Sequence, residues 1–182
     1  MKNIFSTGIE VHQLEGIDNK KLIEYAEKYS LRNQLKETKD ILNNELFSTL
    51  NNLVEVKMND YYNQIYNKTH HIKLTDAWAN VDNDTAITEP HTHKLHFIVA
   101  VYYPLSTDGY LTFMNPMPNL IAHQNNYMID EFNEYNSDYY MQPVRTGQLV
   151  VFNSMVYHFI KESNNKRISI AYNGSLINGS SI

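Results

Sequence analysis

Along the first third of the chain, apolar residues recur at the three-to-four spacing of an amphipathic helix. Leu22, Ile23, Tyr25, Ala26 and Tyr29 follow this spacing, and Asp18 stands where it can cap a helix start. A second run, Ile41, Leu42, Leu46, Leu50, Leu53 and Val54, continues toward Tyr61 with no Pro or Gly to interrupt it, which predicts one continuous helix. The helical texture extends from Ile17 to about Asn67 and changes after His70. From there, short runs rich in Val, Ile, Tyr and Phe alternate with turn clusters: IKLTDAWANV, KLHFIVAVYYPL, YLTFMNP, GQLVVFNSMVYHFI and RISIAYN. STDG at 106–109 and ESNNK at 162–166 read as hairpin turns. The pattern predicts a mainly β protein of one domain. Residues 1–70 form a helical N-terminal region, packed on an antiparallel sandwich or barrel made by residues 71–182.

Composition narrows the chemistry. The 182 residues are 42% apolar and 19% charged, enough to build a core and too apolar for wholesale disorder. A net charge of −5 gives no basic surplus to drive non-specific nucleic-acid binding. The first residues, MKNIFSTGIEVHQLEG, hold no unbroken apolar stretch of signal-peptide type, and the longest such stretch, Phe97–Leu105, is far shorter than a membrane span. A cytoplasmic location, in a bacterium or a phage-infected host cell, is therefore expected. With no cysteine, disulfides, thiolate metal sites and thiol nucleophiles are excluded together, and the eight histidines become the main candidates for metal or acid–base work. Asparagine supplies about one residue in eight, the mark of an AT-rich coding sequence. The sequons at Asn67, Asn83, Asn173 and Asn178 are then products of that bias.

Three histidines stand out by position. His91 and His93, two residues apart, share a face on extended backbone, and His158 lies near the end of the most apolar late strand. Three convergent neutral imidazoles suit a first-row divalent metal and leave positions open for water or substrate. His12, His70, His71, His96 and His123 have no comparable arrangement and read as structural. Nine residues after His158, beyond the ESNNK turn, comes Arg167, followed by Ser169 on the same face. If the turn closes a hairpin, His158 and Arg167 are cross-strand neighbours, with β-carbons about 5 Å apart. An arginine directed into an apolar sandwich needs an anion, and a carboxylate is its natural bidentate partner. The alternative is a shifted register with Arg167 on the surface of an edge strand.

These residues resemble the iron(II)- and 2-oxoglutarate-dependent dioxygenases, and most closely a subfamily found in bacteria and phages. The pieces, in order, are Trp78-Ala-Asn80, HTHKLHFIVAVYY at 91–103, the GYLTF run at 109–113, Pro143, GQLVVFNS at 147–154, His158 and RISIAYN at 167–173. The resemblance covers about residues 76–173, and residues 1–70 match no pattern. It implies a double-stranded β-helix, the jelly-roll or cupin-like fold, with a metal inside one mouth. It implies that His91, His93 and His158 hold iron(II), with His93 where the family usually has Asp or Glu. That exchange leaves the site one negative charge short, and His96 or a carboxylate from elsewhere remains open as the third ligand. The resemblance further implies that Arg167, with Ser169 and Tyr103, receives the distal carboxylate of 2-oxoglutarate, and that Asn80 contacts the cosubstrate. Ten residues separate His93 from Tyr103, about 33 Å if straight, so the chain must bend near Lys94–His96 for both to meet one small acid.

The activity so implied is hydroxylation of an unidentified substrate, coupled to oxidative decarboxylation of 2-oxoglutarate by O2. The segment Asn119–Tyr140 is either a lid over that substrate or a solvated loop. Two other functions stay open on the residues alone. One is a non-catalytic jelly-roll module for binding or structure, for instance in a phage particle. The other is a cupin-like three-histidine dioxygenase that uses no 2-oxoglutarate, which leaves Arg167 and Ser169 unexplained.

Overall fold

The computed structural model describes residues 7–29, 38–66, 69–82, 87–117, 130–133, 136–160 and 165–178. The Asn119–Tyr140 segment lies mostly outside these residues, as do His123, Asn67 and Asn83. In chain order the strands are β1 (Ile9–Gln13), β2 (His70–Asp82), β3 (Thr88–His91), β4 (Ile98–Leu105), β5 (Gly109–Met114), β6 (Tyr139–Val144), β7 (Gln148–Asn153), β8 (His158–Ile160) and β9 (Arg167–Asn178). They form two antiparallel sheets, a five-stranded one in the order β1-β7-β4-β9-β2 and a four-stranded one in the order β3-β8-β5-β6. This is the mainly β jelly-roll architecture expected.

Helices cover the outer face of the larger sheet. They are α1 (Asn19–Tyr29), α2 (Thr38–Asn43) and α3 (Ser48–Ile65), with a 3-10 turn at Glu45–Phe47 between the last two. On α3, Leu50, Val54, Met58 and Tyr61 recur every three to four residues and are buried. They share one apolar cluster with Ala100, Tyr102, Ile168, Ile170 and Tyr172 of the sheet. Asn59 fastens α3 to β2 with both ends of its amide, donating to the Ile72 carbonyl at 2.9 Å and accepting from the Ile72 N–H at 2.8 Å. Alternate residues of the same strands, Val99, Val101, Tyr103, Val150, Phe152 and Ala171, face the smaller sheet and pack on Leu111 and Phe113. β4 is thus covered on both faces, which is why its sequence is an unbroken apolar run rather than an alternation.

Asp18 caps α1 as expected, its carboxylate accepting from the Lys21 N–H at 3.3 Å. The single helix expected from Ile41 to Tyr61 is instead broken at Asn44. That residue is extended, and its side chain accepts from the Leu46 N–H at 3.0 Å, starting a new turn. The strand β1, before the helical region, pairs with β7 and extends the larger sheet.

Both expected hairpins are corrected. STDG carries the chain from β4 in the larger sheet to β5 in the smaller one, and the segment holding ESNNK leads from β8 in the smaller sheet to β9 in the larger. His158 and Arg167 are therefore not ladder neighbours. His158 pairs with His91 and Phe113, while Arg167 pairs with Asp82 of β2. Turn-forming residues specify that a chain reverses; they do not specify which sheet it returns to. The required bend after His93 is present. Residues 92–97, closed by a hydrogen bond of 3.0 Å from the His96 N–H to the His93 carbonyl, lead from β3 in one sheet to β4 in the other.

Candidate metal centre and anion clamp

His91 ends β3 and His158 begins β8, directly opposite one another, with ring centroids 4.4 Å apart. His93 joins them from the turn after β3, its centroid 5.2 Å from that of His91 and 5.1 Å from that of His158. The turn is held by the His93 N–H, which donates to the Ser154 carbonyl at 2.9 Å. One ring nitrogen from each histidine lies within 4.8 Å of the others.

The hydrogen bonds select which nitrogen faces the centre. Nδ1 of His91 contacts the Glu89 carbonyl at 2.8 Å, and Nδ1 of His158 contacts the Val156 carbonyl at 3.0 Å. A carbonyl only accepts, so each Nδ1 carries the proton and each Nε2 keeps its lone pair. Nδ1 of His93 lies 2.6 Å from Oδ1 of Asn173 and is assigned the donor role there, which leaves a buried Nε2 without a partner. Trp78 stacks on His93 with centroids 5.6 Å apart, and Phe152 packs edge-on against His158 at 4.7 Å. His96 turns away to Ser175 and Asp76, and among the described residues the cluster contains no carboxylate. Three neutral imidazoles presenting lone pairs to one point fit a divalent first-row ion, iron(II) included.

Burial holds His158 neutral, pushing its pKa down to about 3, and burial lowers that of His93 as well. Because the folded value lies below the unfolded one, the unfolded chain takes up the proton first on acidification. In the metal-free protein the stability that depends on neutral His158 is fully present above about pH 6.5 and is lost as pH falls toward about 3. Urea denaturation at about pH 7 and about pH 4.5 checks this: His158→Gln should show a markedly shallower loss than the wild type.

The second feature lies along the same interior face of β9, where Arg167, Ser169, Ala171 and Asn173 occupy alternate positions. Arg167 is only 1% exposed, as the turn into an apolar interior required. Its Nε and Nη2 donate to one carboxylate oxygen of Asp82, at 3.1 and 2.5 Å. Its Nη1 is buried with no partner among the described residues, and so is the hydroxyl of Tyr103. That hydroxyl lies within the fields of both Arg167 and Asp82, and burial raises its pKa so that it stays protonated. One rung toward the histidines, Asn80 donates to the hydroxyl of Ser169 at 3.4 Å. An orphaned N–H of a buried cation and an orphaned hydroxyl near it are the chemistry a carboxylate would satisfy.

Gly109 makes room for this arrangement. A Cβ there would lie 2.9 Å from the Ser106 hydroxyl and 3.3 Å from Cδ of Arg167. Gly109→Ala should cost about 1–3 kcal/mol in stability by overpacking, and should weaken anion binding more than metal binding. Thermal denaturation and separate titrations of metal and acid measure the two effects.

All seven residues singled out from sequence thus border one interior: His91, His93 and His158 converge at one place, and Arg167, Ser169, Tyr103 and Asn80 line the adjoining strands. Sequence reasoning missed Asp82 and Asn173. Asn173 sits in the RISIAYN run, and its even spacing from Arg167 and Ser169 was the available signal. Asp82 gave none.

Comparison with known proteins gives the family and the fold. The model of the family described as "Putative 2OG-Fe(II) oxygenase" matches residues 76–173. No curated protein matches the sequence significantly. Among solved structures the fold is similar to HygX from Streptomyces hygroscopicus, solved with nickel, 2-oxoglutarate and hygromycin B, at 11% identity and a TM-score of 0.62, covering 93% of this chain and 83% of that one. It is similar to the epimerase SnoN of nogalamycin biosynthesis at 11% identity and a TM-score of 0.64, covering 93% and 78%. Against an oxidoreductase of the 2OG-Fe(II) oxygenase family from Burkholderia pseudomallei, at 12% identity and a TM-score of 0.51, the match takes in 71% of this chain and only 57% of that one. Among the described residues no helix is long and apolar enough to cross a membrane. With the family model spanning more than half the sequence over the segment that carries the histidines and Arg167, the chain belongs to the 2OG-Fe(II) oxygenases, oxidoreductases that use iron(II) and 2-oxoglutarate.

Proposed function

We propose that the protein is a 2-oxoglutarate-dependent dioxygenase that hydroxylates a C–H bond of a substrate still to be identified. In this reading His91, His93 and His158 hold iron(II), and Arg167 and Tyr103 receive the distal carboxylate of 2-oxoglutarate, with Ser169 and Asn80 beside them. The observation that carries it is the pairing of a three-histidine cluster with a buried guanidinium that still has an unpartnered N–H group, both on the interior of one jelly roll. Bound iron(II) would supply the redox chemistry that couples decarboxylation of 2-oxoglutarate by O2 to oxidation of the substrate.

The chain's own residues do the rest. The backbone carbonyls of Glu89 and Val156 and the amide of Asn173 hold the imidazoles in orientation, so little side-chain entropy is lost when a metal arrives. Phe113, Phe152 and Trp78 pack against the imidazoles and give the site apolar walls. Arg167 and Tyr103 fix one end of the cosubstrate, so its reactive end has a defined position.

The absence of a carboxylate from the histidine cluster among the described residues favours a second reading, a three-histidine dioxygenase that needs no 2-oxoglutarate. It gives no task to the orphaned Nη1 of Arg167 or to the Tyr103 hydroxyl. Aerobic incubation with iron(II) and 2-oxoglutarate separates the two. The proposal expects succinate to form slowly even without substrate, and it fails if no succinate forms with the wild type or if His158→Ala forms as much. The hydroxylation itself is tested by incorporation of one labelled oxygen atom from O2 into a substrate.

A further inference from the structure

The buried partner of Arg167 has a role of its own. Asp82 ends β2 directly opposite Arg167, is 6% exposed, and uses a single oxygen to engage both Nε and Nη2. That contact occupies the side edge of the guanidinium. The end edge bears Nη1 and the outer hydrogen of Nη2, and among the described residues its Nη1 is without a partner, as is the Tyr103 hydroxyl. A guanidinium at the end of three methylenes can rotate, and in an apolar interior nothing but a directed acceptor fixes its plane. Gly109, where a Cβ would lie 3.3 Å from Cδ, leaves room for the stem and does not fix the rotation of the charged head.

We propose that Asp82 is the positioning residue of the cosubstrate clamp: by holding Arg167 edge-on through Nε and Nη2, it turns the remaining N–H edge toward the place where Tyr103 also points. The proposal rests on the reading of Arg167 as the cosubstrate's anchor. It adds how selectivity for a dicarboxylate arises. Asp82 already balances the charge of Arg167, so the clamp holds its ligand by aligned hydrogen bonds and not by a bare positive charge. A 2-oxo acid without a distal carboxylate finds nothing to bind there and leaves two buried donors unsatisfied.

The test titrates the iron(II)-loaded protein, without oxygen, with 2-oxoglutarate and separately with 2-oxovalerate, which has the same length and no distal carboxylate. The visible charge-transfer absorption of the iron–2-oxo acid chelate reads binding of either acid. For Asp82→Asn the affinity for 2-oxoglutarate should fall about tenfold or more, while that for 2-oxovalerate and for iron stays unchanged. Equal losses for both acids, an unchanged 2-oxoglutarate affinity or a tighter one would each overturn the proposal. Should Asp82→Asn not fold, Arg167→Met with and without Asp82→Asn decides. Acting only through Arg167, the second substitution should leave the residual 2-oxoglutarate affinity unchanged, and a further loss would overturn the proposal. The underlying reading fails separately, if the wild type does not prefer 2-oxoglutarate to 2-oxovalerate or if Arg167→Met binds 2-oxoglutarate as the wild type does.

Discussion

Replacing His158 with alanine is expected to abolish 2-oxoglutarate turnover and to lower iron(II) affinity by more than about a hundredfold, beyond the ten- to hundredfold typical of losing a partner behind a metal ligand. His158 is the most deeply buried of the three histidines, seated against Phe152 and directly opposite His91. Iron content after dialysis and succinate formation measure the two effects. Retained iron at the wild-type level would remove His158 from the centre.

Replacing Arg167 with alanine is the second large effect, and it is twofold. The substitution strips Asp82 of its partner while leaving its carboxylate 6% exposed, an uncompensated buried charge that should cost about 3–5 kcal/mol of stability. It should also abolish measurable 2-oxoglutarate binding at ordinary concentrations while sparing iron, because the histidines draw none of their hydrogen bonds from Arg167. Combining Arg167→Met with Asp82→Asn removes both charges and should restore most of the stability without restoring binding. Denaturation curves for the single and double variants, set beside their 2-oxoglutarate affinities, separate the structural contribution of the ion pair from its part in the clamp.

The sequence conveyed these elements unequally, for physical reasons. His91 and His158 meet on one ladder row and His93 joins them from the turn that follows, and the three could be read because their spacing set them apart and metal-binding residue types are few in a chain without cysteine. Arg167 could be read because a cation amid Ile168, Ile170 and Val156 demands a partner. Its neighbour could not. The hairpin expectation placed His158 across from Arg167, whereas the chain leaves the smaller sheet after β8 and enters the larger at β9, so that the opposing residue is Asp82, 85 positions earlier. Periodicity reports which face a residue shares; it carries no information about which distant strand lies alongside. The break at Asn44 escaped notice for a related reason. Asparagine is common throughout this chain, and only its extended backbone and the bond to the Leu46 N–H distinguish this one from the others. The strand β1 is short, and its pairing with β7 is set by a segment more than 130 residues away.

The central claim is that one interior holds both a metal and the cosubstrate's far carboxylate, and one titration tests it most directly. The metal-free protein, kept anaerobic, is loaded with iron(II) and then titrated with 2-oxoglutarate while the visible charge-transfer band is followed. The account predicts a band that needs both components, is absent in His158→Ala, and in Arg167→Ala emerges only at far higher 2-oxoglutarate concentration. Iron binding with no band would contradict it and leave a three-histidine centre that does not use 2-oxoglutarate. A protein that binds no iron at all would contradict the metal centre itself.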